Sequence, residues 1–179
     1  MKIADLNFVP FIYTTEIRQI VNGVAEKLNQ DYADTAEPVY LVTVLNGAMP
    51  FAVDLMRKLK FPVIVDTVRA SSYRGGTKAG KLEIEKWVEF NPEDKNVLLV
   101  EDIVDTGQTI AQLRSMFAAE KPASLKVCTF LFKPDAFLGY SADETPEYVG
   151  LSIPNEFVIG YGLDYKDLGR NLDKVYKLD

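Results

Sequence analysis

The chain has 179 residues, 47% hydrophobic and 26% charged, which suits one domain with a substantial core. Its formal net charge of −6, from 20 basic and 26 acidic residues, argues against nucleic acid as the main partner. There is no histidine and Cys128 is the only cysteine, which excludes a disulfide framework, a Ser-His triad and His-ligated zinc. Acid–base work is left to Asp, Glu, Lys, Tyr or Cys. Asp5 precedes any long apolar run and no stretch approaches membrane-spanning length, so neither a signal peptide nor a membrane span is expected. A reducing, cytoplasmic setting is the default expectation.

In chain order, Phe8 to Tyr13 reads as a short extended segment interrupted by Pro10. A helix follows from a cap at Thr14 or Thr15 to about Gln30, with Ile17, Ile20, Val21, Val24, Ala25 and Leu28 at helical spacing. Residues 39–45 form a strand by β-branched content and end at Asn46-Gly47. Residues 49–60 read as a helix with Phe51, Val53, Leu55 and Met56 partly inward, and residues 62–70 as the next strand. The hydrophilic, glycine-rich stretch 71–81 is a long exposed hairpin loop or an active-site cover, and Leu82 to Val88 is its returning strand. After a turn at 91–95 come a strand from Val97, a helix over 109–119 and a strand over 124–132 that holds Cys128 as core and ends at Lys133-Pro134. Residues 135–148 are loop; Val149–Ile153 and Phe157–Tyr165 complete the sheet or a small hood beside it. Strands alternating with helices predict an α/β fold with a mostly parallel central sheet flanked by helices. With no repeat, low-complexity tract or linker, residues 1–179 are expected to form a single domain.

The densest chemistry lies in Val97 to Thr109, Val-Leu-Leu-Val-Glu-Asp-Ile-Val-Asp-Thr-Gly-Gln-Thr. Four apolar residues of a buried strand give way to Glu101-Asp102; Asp105 follows, then Thr106-Gly107-Gln108-Thr109 and a helix. Ligands of open α/β sheets sit beyond the carboxyl ends of the strands. A helix N-terminus there offers free N–H groups and a positive dipole end to a phosphate, Thr hydroxyls add donors, and Gly107 lets the backbone approach. Paired carboxylates can bind sugar hydroxyls or hold Mg²⁺. One loop could thus hold both ends of a phosphorylated sugar. Any one of these residues alone could equally be a helix cap or a solvated strand end.

This string resembles the phosphoribosyl-pyrophosphate (PRPP) motif of the type I phosphoribosyltransferases, and Val97 to Ile110 fits it without a gap. The resemblance implies that Glu101 and Asp102 hold the ribose hydroxyls, that Asp105 sits by the base, and that Thr106, Gly107, Gln108 and Thr109 wrap the 5-phosphate. It also implies that Leu45, Asn46 and Gly47 form the pyrophosphate-binding loop, with a cis Leu45–Asn46 bond. Close relatives often carry Lys at Asn46, and some at Gln108; here the backbone amides of the first loop must do the binding.

Ser72-Tyr73, Lys133, and Phe157 to Tyr165 extend the resemblance, over about residues 39 to 172, to the hypoxanthine-guanine phosphoribosyltransferases. It then implies a hood, a lid hairpin carrying Ser72 and Tyr73, and a purine pocket of Lys133, Phe157, Val158 and Asp164. Lys133 would donate to the 6-oxo group and disfavour adenine. Phe157 would stack on the base, and carbonyls near Val158 and Asp164 would accept from it. Arg170 would clamp the pyrophosphate. Mg²⁺ would be held by Glu101 and Asp102, with Asp164 at a second ion, and Asp105, its pKa raised by desolvation, would be general base at the purine N7 proton. The implied partners are PRPP and a 6-oxopurine, in a homodimer or homotetramer. A transferase for another base such as xanthine, and a PRPP-binding regulator of nucleic acid, are the alternatives; the net charge disfavours the latter.

Overall fold

A computed structural model describes residues 1–72, 82–85, 88–139 and 144–179. In chain order it contains β1 (Lys2–Ile3), β2 (Leu6–Ile12), α1 (Thr14–Asp31), β3 (Val39–Leu45), α2 (Met49–Met56), β4 (Val63–Ser72), β5 (Leu82–Glu85), β6 (Asn96–Val104), α3 (Gln108–Ala118), β7 (Ser124–Phe132), β8 (Tyr148–Ser152), β9 (Val158–Ile159) and β10 (Val175–Leu178).

Two sheets result. The larger has the order β5-β4-β3-β6-β7-β8. Five of its strands run parallel, and only β5 pairs antiparallel, with β4. The smaller is an antiparallel hood in the order β1-β2-β10-β9. The extended segment before α1 is therefore a true strand of the hood. β9 belongs to the hood and β8 to the main sheet.

Sequence explains most of these elements. β3 and β6 are nearly continuous apolar runs because helices cover both faces of the sheet. On one face Leu41, Leu98, Val100, Cys128 and Phe130 pack with the apolar stripe of α1 and with Phe51, Ala52 and Leu55 of α2. On the other, Val42, Val97, Leu99 and Val127 pack with Ile110, Leu113 and Phe117 of α3. Fully burying a side chain of the size of Leu98 or Leu99 contributes about 1.5–3 kcal/mol. Cys128 is wholly buried and its thiol is pushed up by that burial, so it is a small hydrophobe.

Several boundaries differ from the sequence reading. The residue before α1 is Tyr13, extended at φ −85°, and Thr14 is already helical. The start is fixed by the Glu16 carboxylate, which accepts the Tyr13 N–H at 2.8 Å. α2 stops at Met56, and Val53 faces outward at 43% exposure because only one stripe of so short a helix meets the sheet. β6 runs on through Val104, so the acid pair lies inside the strand. Ser72 ends β4, whereas Tyr73 and the rest of the lid expectation through residue 81 lie outside the described residues.

Candidate active site

Neighbouring β3 and β6 send the chain in opposite directions, to β4 on one side and β7 on the other. Such a reversal opens a crevice at the carboxyl edge of a parallel sheet. A cavity of about 450 Å³ lies there, within the usual range for ligand sites. Its walls are the ends of β3, β4 and β6 and the loop after β9, and Leu45, Asn46, Gly47, Glu101, Asp102, Thr109, Asp164 and Arg170 all line it.

The acid pair occupies a slip in β6. Leu98, Val100 and Ile103 pack on the α1 side, and Val97, Leu99 and Val104 on the α3 side, so the alternation of faces shifts by one across Glu101 and Asp102. Both carboxylates thereby reach one cavity. Glu101 is only 7% exposed, and its Oε2 has no hydrogen-bond partner among the described residues. Burial, and then the charge of Asp102, push the Glu101 carboxyl well above the ordinary carboxylate range; burial raises Asp102 as well. Asp102 Oδ1 accepts the Ile103 N–H at 2.8 Å.

Gly47 is held between two parts of the site. A Cβ on it would come within 1.7 Å of Asp102 Oδ2. Gly162, at a φ of +100° in the loop after β9, would put a Cβ within 1.9 Å of the Gly47 carbonyl oxygen. Only two glycines allow these three segments to touch. The Leu45–Asn46 peptide bond beside them is cis.

Beyond Val104 the chain turns through Asp105, Thr106 and Gly107 into α3. A second hollow of about 80 Å³ lies in this turn and is lined by Asp105, Thr106, Gly107, Gln108 and Thr109. It opens on the N-terminus of α3, where backbone N–H groups and the helix dipole favour an anion. The Gln108 N–H lies 3.5 Å from Thr106 Oγ1, a long contact.

Strand register sets the next pair. Val104 lies opposite Phe132, so Asp105 and Lys133 follow at adjacent strand ends. Lys133 Nζ donates to Asp105 Oδ2 at 2.8 Å; the Lys side chain is 7% exposed and that of Asp105 46%. Lys133 is thus no solvated strand end. The Asp105 carboxylate stands at the rim, held by the ammonium.

Phe157 and Val158 line neither hollow. The Phe157 ring is 42% exposed and packs against Phe8 at 6.1 Å and Tyr165 at 5.7 Å, while Val158 is buried in the hood opposite Lys177. Arg170 donates from Nη1 to the Gly162 carbonyl at 2.8 Å, and its Nη2 lies 2.6 Å from Asp164 Oδ1. Both terminal nitrogens of the expected clamp are therefore engaged in bracing the loop. Asp164 shares the cavity with Glu101 and Asp102, but no three acids converge as a metal cluster among the described residues.

Arg69, Lys166 and Asp167 also line the cavity and were not read from the sequence. A signal existed only for Arg69: it lies in the carboxyl-terminal half of β4, opposite Leu45 at the end of β3.

A family model described as the phosphoribosyl transferase domain matches residues 13–166. A hypoxanthine-guanine phosphoribosyltransferase of Streptococcus pneumoniae is 40% identical over 161 residues, covering 89% of this chain and 87% of its own. The crystal structure of a hypoxanthine-guanine phosphoribosyltransferase from Bacillus anthracis superposes with a TM-score of 0.86 at 35% identity, over 98% of this chain and 100% of that one. A Trypanosoma cruzi hypoxanthine phosphoribosyltransferase structure gives 0.87 at 34% identity, over 100% and 95%. With its acid-bearing strand at the sheet's reversal point and its phosphate-sized turn leading into α3, the chain belongs to the phosphoribosyltransferase family.

Proposed function

We propose that this protein transfers the phosphoribosyl group of PRPP to hypoxanthine or guanine, giving IMP or GMP and pyrophosphate, a purine-salvage reaction. The observation that carries this reading is the succession along one strand end of an acid-lined cavity, an anion-binding helix start and the Asp105–Lys133 pair. The named relatives support the same chemistry.

In this reading the 5-phosphate sits against the turn from Thr106 to Thr109 and the ribose hydroxyls meet Glu101 and Asp102. The pyrophosphate lies along Leu45, Asn46 and Gly47 towards Arg170. The buried, unpaired Oε2 of Glu101 in a cavity shared with Asp102 fits Mg²⁺, a hard cation that takes oxygen ligands and completes its shell with phosphates and water. When bound, Mg²⁺ neutralises charge on the departing pyrophosphate. Glu101 and Asp102 would hold it, and Asp164 could join only by loosening its contact with Arg170.

An incoming 6-oxopurine takes over Lys133, whose ammonium only donates and therefore matches the 6-oxo oxygen and not a 6-amino group. That exchange frees Asp105 to accept the N7 proton as the ring nitrogen attacks C1 of the sugar. Phe157, with an exposed ring on the hood, supplies the stacking face, and Val158 and Asp164 border the base. The chain acts as one unit, since Ile12, Val158 and Val175 of the hood share a core with Leu98 and Val100 of the main sheet. A homodimer or homotetramer in the cytoplasm completes the proposal, with sedimentation as the check on assembly; among the described residues no helix is long and apolar enough to cross a membrane.

The test is a spectrophotometric screen of hypoxanthine, guanine, xanthine, adenine and uracil with PRPP and Mg²⁺. Turnover is expected with the first two. Turnover confined to adenine or uracil, or none at all, overturns the reading.

A further inference from the structure

Tyr165 and Leu168 close a two-residue turn through reciprocal backbone hydrogen bonds of 3.0 Å each. Its central residues, Lys166 and Asp167, both have left-handed backbone, at φ 54° and 63°. Asn and Gly are the usual occupants of such positions, and side chains held there against preference tend to mark functional sites. This turn forms part of the wall of the large cavity.

The cavity needs what Lys166 carries. Among the described residues its lining holds four carboxylates, Glu101, Asp102, Asp164 and Asp167, against three cations, Arg69, Lys166 and Arg170. Arg170 is engaged by Asp164 and Gly162, and Asn46 brings no charge. Lys166 is held by Asp5, from the turn between β1 and β2, with Nζ donating to Asp5 Oδ1 at 2.8 Å; the Tyr165 hydroxyl donates to the same oxygen at 3.1 Å. The Lys166 and Asp5 side chains are 56% and 63% exposed, so this pair is weak and exchangeable. A long lysine stem with three rotatable donors suits a ligand rich in phosphoryl oxygens.

Building on the transferase reading, we infer that Lys166 is a further pyrophosphate-binding residue, which leaves the Asp5 carboxylate for the phosphoryl oxygens of the substrate's leaving group. Asp5 holds the ammonium until those oxygens take its place. Lys166 thereby supplies from the hood side the mobile positive charge that the loop at Asn46 lacks.

The experiment compares wild type, Lys166→Gln and Asp5→Asn. It measures kcat, the KM values for PRPP and hypoxanthine, inhibition by pyrophosphate, and calorimetric binding of Mg²⁺-pyrophosphate. Lys166→Gln should raise the PRPP KM and the pyrophosphate inhibition constant about tenfold, the loss of one charge-assisted contact, with the hypoxanthine KM within about twofold. Asp5→Asn should leave the PRPP and pyrophosphate constants unchanged or lower them, because it releases Lys166. A Lys166→Gln protein matching wild type overturns the inference. So does an Asp5→Asn protein that loses as much as Lys166→Gln, since the ion pair would then only brace the hood. If wild type turned over no base, the transferase reading would fall, while the calorimetric arm would still judge Lys166.

Discussion

Glu101 and Asp105 sit four positions apart at one strand end, yet their surroundings are opposite. Glu101 is buried with an unpartnered oxygen beside a second acid, so its environment resists its charge. Asp105 is half-exposed and already holds a cation in Lys133. The first is a cradle completed only by a ligand; the second is a closed pair that a ligand must open. The sugar-phosphate end of the site is thus tuned by desolvation and the base end by exchange of partners.

The largest expected effect lies at the base end. Asp105→Asn should lower kcat by about 10²–10⁴-fold, the usual worth of a general base, while the PRPP KM changes little. Turnover near wild type would remove Asp105 from the proton transfer and break the contrast. Lys133→Gln should lower kcat/KM for hypoxanthine by about 10–100-fold, as expected on losing a charged hydrogen bond. Relaxed discrimination against adenine in the same assay would sharpen the assignment; unchanged selectivity would count against it. At the cradle, Gly162→Ala should destabilise the fold by about 1–3 kcal/mol, read by urea unfolding, since its methyl meets the Gly47 carbonyl and its φ disfavours any Cβ.

The smallest effect has an unusual sign. A carboxyl whose pKa is raised by folding binds its proton more tightly in the folded state. Its contribution to stability is therefore greatest at acid pH and is lost as pH rises from the ordinary range, near 4.5, through the raised value. Glu101→Gln removes that burden. Without ligand the variant should melt a few degrees above wild type at pH 7–8, the shift expected of about 1 kcal/mol, with the gap closing towards pH 4.5. Mg²⁺ and PRPP together should then raise the Tm of wild type more than that of the variant. A variant less stable at every pH would show that Glu101 is not strained by burial.

The strands and the acid-rich turn were legible because their signals are local. An apolar run followed by Glu101-Asp102 and Thr106-Gly107 states a strand and an anion-binding turn within a few residues. What was illegible depends on distant pairings. The contact between Lys133 and Asp105 follows from the register of Val104 against Phe132, which packing sets. The hold of Asp5 on Lys166 joins opposite ends of the sequence with no local trace in either segment. α2 was read too long because Leu59 continues its apolar pattern, whereas past Met56 the backbone closes tighter turns, with the Lys58 N–H on the Leu55 carbonyl and the Leu59 N–H on that of Met56.

The hood has a temporal consequence. Its central pairing sets Val175 against Ile12, so the widest loop in the chain must close before this sheet exists. The acid pair and the turn from Thr106 to Thr109 draw on β6 and the start of α3 beside β3, which are much nearer neighbours in sequence, whereas the pyrophosphate side of the cavity also needs the loop after β9. A refolding chain should therefore regain its hold on a ribose 5-phosphate before its hold on pyrophosphate or a purine, and the delay between the two signals would time the arrival of β10.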